Sequence, residues 1–201
     1  MNILKMYATS PNERYIQMLV DTLKDGGIII YPTDSLYAIG CDALNNRAIE
    51  RICALKGINP EKTNLSVVCS DMSQASEYAK VDNRAFPIMK RNLPGPFTFL
   101  LPAAHTLPKI FKGRKVVGVR IPDNSIARQL AQRLGNPLLS TSIQWDEPEE
   151  ATEVDSIALR YSDSVDFVVD GGEGSTVPSA IVDLTDSYSP EIIREGPQPL
   201  V

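Results

Sequence analysis

Residues 28–31, Ile-Ile-Ile-Tyr, are apolar at every position and lie between Gly26-Gly27 and Pro32. Such a run, bounded by turn residues, reads as a buried strand that other layers must cover. The preceding segment supplies a cover. Ser10-Pro-Asn-Glu13 reads as a capping box with proline at the first helical position, and Ile16, Leu19, Val20 and Leu23 follow at i, i+3, i+4 and i+7. Further helices are expected at Arg47–Leu55, from Asp82 to about Asn92, and at Ser125–Leu134. Strands are expected at Leu65–Cys69, Phe97–Leu101, Val116–Ile121, Leu138–Ser142, Phe167–Asp170, Ala180–Leu184 and Glu191–Arg194. Strands alternate with helices early and run nearly helix-free at the end. The pattern predicts one α/β domain over residues 1–201, a twisted mixed parallel and antiparallel sheet with flanking helices. The proline- and acid-rich segment Trp145–Thr152 reads as a mobile surface loop.

Composition narrows the function classes. With 43% hydrophobic residues among 201, the chain can bury a sizeable core. Its longest apolar runs fall far below the roughly 18–20 residues of a membrane span, so no membrane partner is expected. Cys41, Cys53 and Cys69 lack metal-ligand spacing and there is one histidine, His105, so no metal site is expected and a reducing cytoplasm fits. No apolar helix face is left over, which predicts a monomer. The net charge of −5 conceals an asymmetry: residues 84–133 carry +9, residues 134–201 carry −12. The basic stretch is a candidate phosphate-binding surface, with Lys109, Lys112, Arg114 and Lys115 as its densest part. It reads equally well as solvated faces paired with the acidic C-terminal third.

Polar residues gather where strands end. Thr33 leaves the first strand through the Pro32 turn, and Lys56-Gly57 follows the second helix. Arg120 ends one strand, Ser140 and Ser142 close another, Ser179 opens the next and Arg194 ends the last. Ligands of open α/β sheets sit at strand ends. A pocket that combines Lys56, Arg120 and Arg194 with hydroxyls suits phosphates and a carboxylate, since guanidinium offers a bidentate fork and ammonium a point charge. No P-loop is present, because Gly171-Gly-Glu-Gly174 is not followed by lysine.

Taken in order, these pieces resemble the YrdC/YciO family of threonylcarbamoyl-AMP synthase-like proteins. Seven blocks carry the resemblance: Gly26–Gly40 (Gly-Gly-Ile-Ile-Ile-Tyr-Pro-Thr-Asp-Ser-Leu-Tyr-Ala-Ile-Gly), Ala54–Pro60, Pro94–Phe99, Gly118–Pro122, Ser140–Gln144, Ser179–Asp183 and Arg194–Gly196. The resemblance implies a large, basic, concave cleft. It implies catalysis at Lys56 and Arg120, L-threonine held by Thr33, Arg120 and Ser179, and the nucleotide addressed by Lys56, Ser140, Ser142 and Arg194. It implies ATP with Mg²⁺ as a substrate complex, no tightly bound cofactor, and bicarbonate as the third substrate. The product, threonylcarbamoyl-AMP, feeds a tRNA modification.

Three positions depart from the family pattern. Ile58 stands where it has arginine, Gln144 where it has asparagine, and Val68 where it has histidine. The altered block at Lys56-Gly-Ile58 points to the YciO-like branch, and the departures leave two readings open. One is the nucleotidyltransferase. The other is a protein that binds double-stranded RNA, tRNA or the ribosome, with weak, lost or hydrolytic activity on the adenylate.

Overall fold

The computed structural model describes residues 2–60, 62–63, 65–108, 114–143 and 148–201. Among the described residues ten strands and six α-helices occur in the order β1 (Ile3–Lys5), α1 (Glu13–Lys24), β2 (Ile29–Tyr31), β3 (Ala38–Asp42), α2 (Asn46–Lys56), β4 (Ser66–Val68), α3 (Met72–Tyr78), α4 (Ala85–Asn92), β5 (Phe97–Pro102), β6 (Val116–Arg120), α5 (Ser125–Leu134), β7 (Leu138–Ser142), α6 (Val154–Tyr161), β8 (Phe167–Asp170), β9 (Ala180–Asp183) and β10 (Glu191–Arg194). All ten strands join one sheet in the order β1-β8-β2-β3-β7-β4-β6-β5-β9-β10. Strand β8 pairs in parallel with both β1 and β2, as β4 does with β6 and β5 with β9. The remaining contacts are antiparallel. The expected mixed sheet with flanking helices is therefore the observed fold.

Side chains alternate across this sheet. On one face Ile28, Ile30, Ile39, Val67, Phe97, Phe99, Val117, Val119, Leu139 and Val182 join a core that also takes in Ile49 and Ile52 of α2, Ala75 of α3, Met89 of α4 and Ile157 of α6. That face is covered from β2 across to β9. On the opposite face Ile29, Tyr31, Ala38, Val68, Leu138 and Val169 pack against Ile16, Leu19 and Leu23 of α1 and Ile126 and Leu130 of α5. This second core stops partway across. Beyond it the same face presents Ser66, Thr98, Gly118, Arg120, Ser140, Ser142, Ser179 and Arg194, which line a pocket or its floor. Each buried leucine or isoleucine under the helices contributes about 1.5–3 kcal/mol, so the uncovered half forgoes that stabilisation.

Several local expectations need correcting. Helix α1 is capped by Asn12, whose side chain accepts from Arg14 N and Tyr15 N; Ser10 instead pairs with Tyr7. Asparagine two residues nearer the helix places its carbonyl within reach of the free N–H groups. The C-terminal third is not helix-free: α6 buries Ile157, Ala158 and Tyr161 along one stripe. Strand β1, strand β3 and helix α3 also go beyond the expected elements. Of the expected mobile loop, Pro148–Thr152 is a short 3-10 turn with Ala151 and Thr152 buried, while residues 145–147 lie outside the described residues. Among the described residues no helix is long and apolar enough to cross a membrane.

Candidate functional site

The pocket is the uncovered half of the sheet. Its volume is about 140 Å³, and its lining includes Ile58, Thr63, Leu65, Ser66, Thr98, Arg120, Ser140, Thr141, Ser142, Ser179, Ile181 and Arg194. Five of the expected site residues thus converge: Arg120, Ser140, Ser142, Ser179 and Arg194. Gly118 makes the floor deep, because a Cβ there would stand 2.4 Å from Ser66 Oγ and 3.1 Å from Thr98 Cγ2.

Arg120 ends β6 and is only 4% exposed. Its Nη2 donates to Ser35 Oγ at 2.8 Å and meets Asp34 Oδ1 at 3.3 Å. Its Nε is buried without a hydrogen-bond partner. Burial lowers the Arg120 pKa, and the Asp34 carboxylate opposes that shift. Burial likewise raises the Asp34 carboxyl, against the pull of the Asp123 N–H and the Arg120 charge. The guanidinium is therefore a desolvated cation whose buried Nε–H lacks a partner, and an anion in the pocket would satisfy it.

Arg194 approaches from the edge strand. An extra residue between Ile192 and Arg194 shifts the β9–β10 pairing, so that Arg194 falls opposite Ile181 on the pocket face. In continuous register it would oppose Ala180 on the core face. Its Nε and Nη2 both donate to the Ser179 carbonyl, at 3.0 and 2.8 Å, which fixes the fork. Burial, then the neighbouring Arg120 charge, lowers its pKa.

The hydroxyls are paired across strands. Ser179 Oγ lies 2.9 Å from Thr98 Oγ1, both buried. Tyr31, wholly buried with its hydroxyl pushed up to about 12 by desolvation, donates to Ser140 Oγ at 2.9 Å. Because Ser140 accepts there, its own hydrogen is left to point elsewhere.

Two expected residues sit beside the pocket and are absent from its lining. Lys56, the last residue of α2, donates to the Ser142 carbonyl at 2.8 Å, and burial followed by the Arg160 charge lowers its pKa. The left-handed Gly57 at φ 62° ends that helix and turns the chain toward Ile58. Thr33 spends its hydroxyl on its own loop, donating to Leu36 O at 2.7 Å and accepting from Ser35 N at 3.0 Å. Its neighbours Asp34 and Ser35 reach Arg120 instead.

Of the departures, Ile58 lines the pocket and Val68 is fully buried in the α1/α5 core, while Gln144 lies outside the described residues. Two cations of the basic stretch lie on opposite faces of the sheet. Arg84, on the face carrying α4, stacks over Tyr188 with 4.0 Å to the ring centroid, whereas Arg133 on α5 pairs with Glu13 on the opposite face. Arg114 donates to the Pro60 carbonyl, Lys115 is exposed, and Lys109 and Lys112 lie outside the described residues.

Asp34, Ser35, Thr98, Ser66 and Tyr31 were not singled out from the sequence. Asp34, Ser35 and Tyr31 stand inside the Gly26–Gly40 block and Thr98 inside Pro94–Phe99, so the signal was present. What was missing was the register that lines up β7, β4, β6 and β5 in that order.

The family model Sua5/YciO/YrdC, described as telomere recombination, matches residues 21–196. YciO of Escherichia coli is 38% identical over 194 residues, covering 95% of this chain and 93% of that protein. Its crystal structure superposes with a TM-score of 0.91 over 99% of this chain and 98% of that one. A threonylcarbamoyl-AMP synthase from Chromobacterium violaceum is 34% identical over 177 residues, 87% of this chain and 91% of that one. The structure of Pyrococcus abyssi Sua5 complexed with L-threonine is 27% identical, with a TM-score of 0.88 over the whole of this chain and 59% of that longer one.

Proposed function

The chain belongs to the Sua5/YciO/YrdC family, and from that premise we propose that its cleft is a threonylcarbamoyl-AMP synthase-type site. L-Threonine, bicarbonate and ATP, the last as its Mg²⁺ complex, would yield threonylcarbamoyl-AMP, pyrophosphate and water, for threonylcarbamoyladenosine formation in tRNA. The observation that carries this reading is the buried Arg120 with its unpartnered Nε, facing a pocket of paired hydroxyls and a second guanidinium. The P. abyssi protein seen with L-threonine and the C. violaceum synthase support the same assignment.

In this reading Arg120 takes the threonine carboxylate, and the Ser179–Thr98 pair lies beside it to hold the rest of the amino acid. The neutral amine attacks carbon dioxide released from bicarbonate, forming a carbamate. A carbamate oxygen then attacks the α-phosphorus and pyrophosphate leaves. Lys56, Ser140, Ser142 and Arg194 address the phosphates, where fixed cations stabilise the charge developing in transfer. Ile58 withholds one such cation, and removing a preorganised donor costs about 10²–10³ in rate, so slow turnover is expected.

The test is threonine-dependent pyrophosphate release with Arg120→Ala as control, alongside thermal shifts with L-threonine and ATP. Release abolished by the substitution is the expected result. No release and no stabilisation by either ligand would overturn the reading, since a genuine site raises stability by mass action. The apolar Ile58 in the pocket favours a second reading, RNA or ribosome binding through Lys109, Lys112, Arg114 and Lys115 with weak, lost or hydrolytic activity on the adenylate. Salt-dependent RNA binding without pyrophosphate release would select it.

A further inference from the structure

Asp34 stands at the tip of the β2–β3 loop and is not part of the pocket lining. Its side chain is only 10% exposed, yet its two oxygens take partners from outside its own loop. Oδ1 meets the Arg120 guanidinium at 3.3 Å, and Oδ2 accepts the Asp123 N–H at 2.7 Å. Asp123 follows Arg120 by three residues and directly precedes Asn124, the cap of α5. One carboxylate thus holds both the guanidinium that ends β6 and the backbone corner that carries the chain into the α1/α5 layer.

The loop also carries a brace of its own. Thr33 Oγ1 braces it internally, accepting from Ser35 N and donating to Leu36 O. The Asp34 carboxylate reaches out of the loop, onto Arg120 and Asp123. Arg120 has two restraints, Asp34 and Ser35, and both converge on the same nitrogen, Nη2. A guanidinium pinned at one nitrogen can present the rest of its fork in one plane, and bidentate carboxylate recognition depends on that plane.

We propose that Asp34 is a positioning residue that sets the orientation of the Arg120 fork before an anionic substrate arrives. It touches no ligand and acts through Arg120. The proposal rests on the reading of Arg120 as the carboxylate receptor for L-threonine, and it names the group that makes that receptor specific for a planar carboxylate.

The Arg120 side-chain Nε–H resonance in ¹H–¹⁵N spectra of the full chain, assigned by its loss in Arg120→Lys, reads the orientation without any substrate. In the native chain it is expected to be single and sharp. In Asp34→Asn, which keeps an acceptor for the Asp123 N–H but removes the charge, it is expected to broaden and exchange with water. The KM for L-threonine should rise about tenfold while the KM for ATP stays within about twofold. Asp34→Glu, which keeps the charge one methylene further out, should return both readouts most of the way. An unchanged Nε–H resonance in Asp34→Asn overturns the proposal, as does a lower melting temperature with no change in the KM for L-threonine. Should Asp34→Asn fail to fold, Ser35→Ala removes the other restraint on Nη2 and must shift the resonance in the same direction, or the proposal falls. If L-threonine perturbs no resonance of the native chain, the threonine reading fails, while the Nε–H comparison still decides the role of Asp34.

Discussion

Strands β4 and β7 each cross the boundary between two regions of one sheet face. On β4, Val68 is fully buried beneath α1 and α5, and Ser66, two residues earlier on the same side, lines the pocket. On β7, Leu138 is buried in the same core and Ser140 lines the same pocket. The register pairs Val68 with Leu138 and Ser66 with Ser140, so the change of residue type runs straight across neighbouring strands. Backbone hydrogen bonding is the same on both sides of that line. The capped half stores stability in apolar burial, and the open half gives it up to keep hydroxyls and guanidinium groups where a ligand can reach them.

Matched substitutions can break that contrast. The largest effect is expected from Val68→Ser, which removes buried methyl groups and buries a hydroxyl; the loss should be about 3 kcal/mol, read from urea denaturation midpoints. Next comes Gly118→Ala in the pocket floor. The added methyl would meet Ser66 Oγ at 2.4 Å, so about 2 kcal/mol of overpacking is expected, together with loss of stabilisation by L-threonine. Pairing it with Ser66→Gly should recover most of the stability. Tyr31→Phe deletes the donor to Ser140 at the border and should cost about 1 kcal/mol. The smallest change in stability, within about 0.5 kcal/mol, is expected for Ser66→Val, the mirror of the first substitution. That variant should nevertheless lose stabilisation by ATP in a thermal-shift titration. Equal losses from Val68→Ser and Ser66→Val would dissolve the distinction between the two halves.

Much of this was readable in advance because it is local. The apolar run before Pro32, the Ser125–Leu134 helix and the strands at Leu138–Ser142 and Phe167–Asp170 follow from periodicity and turn residues within a few positions. Helix α3 was not legible, since Met72-Ser-Gln-Ala-Ser-Glu-Tyr78 carries too few apolar residues for a stripe and is held by the Asp71 cap and tertiary burial of Ala75 and Tyr78. Strand β3 was hidden behind the Pro32 turn. Within the site, arginines and serines at strand ends could be picked out by chemistry. The partners Asp34 and Thr98 could not, because their roles depend on contacts 86 and 81 positions away in the chain. Charge along the sequence does not by itself fix position in space: Arg84 and Arg133, from the same basic stretch, lie on opposite sides of the sheet.

The order of strands also sets a schedule for synthesis. Strand β2, apolar on both faces, is flanked by β3 on one side and β8 on the other, and β8 arrives about 140 positions later. Until Phe167–Asp170 has left the ribosome, β2 has an unpaired edge, and β1 has no neighbour at all in the described sheet. A nascent chain halted before that point would carry an open, hydrophobic strand edge of the kind that pairs with other chains. Emergence of β8, rather than formation of any single helix, is then the event that closes this edge and gives β1 its place.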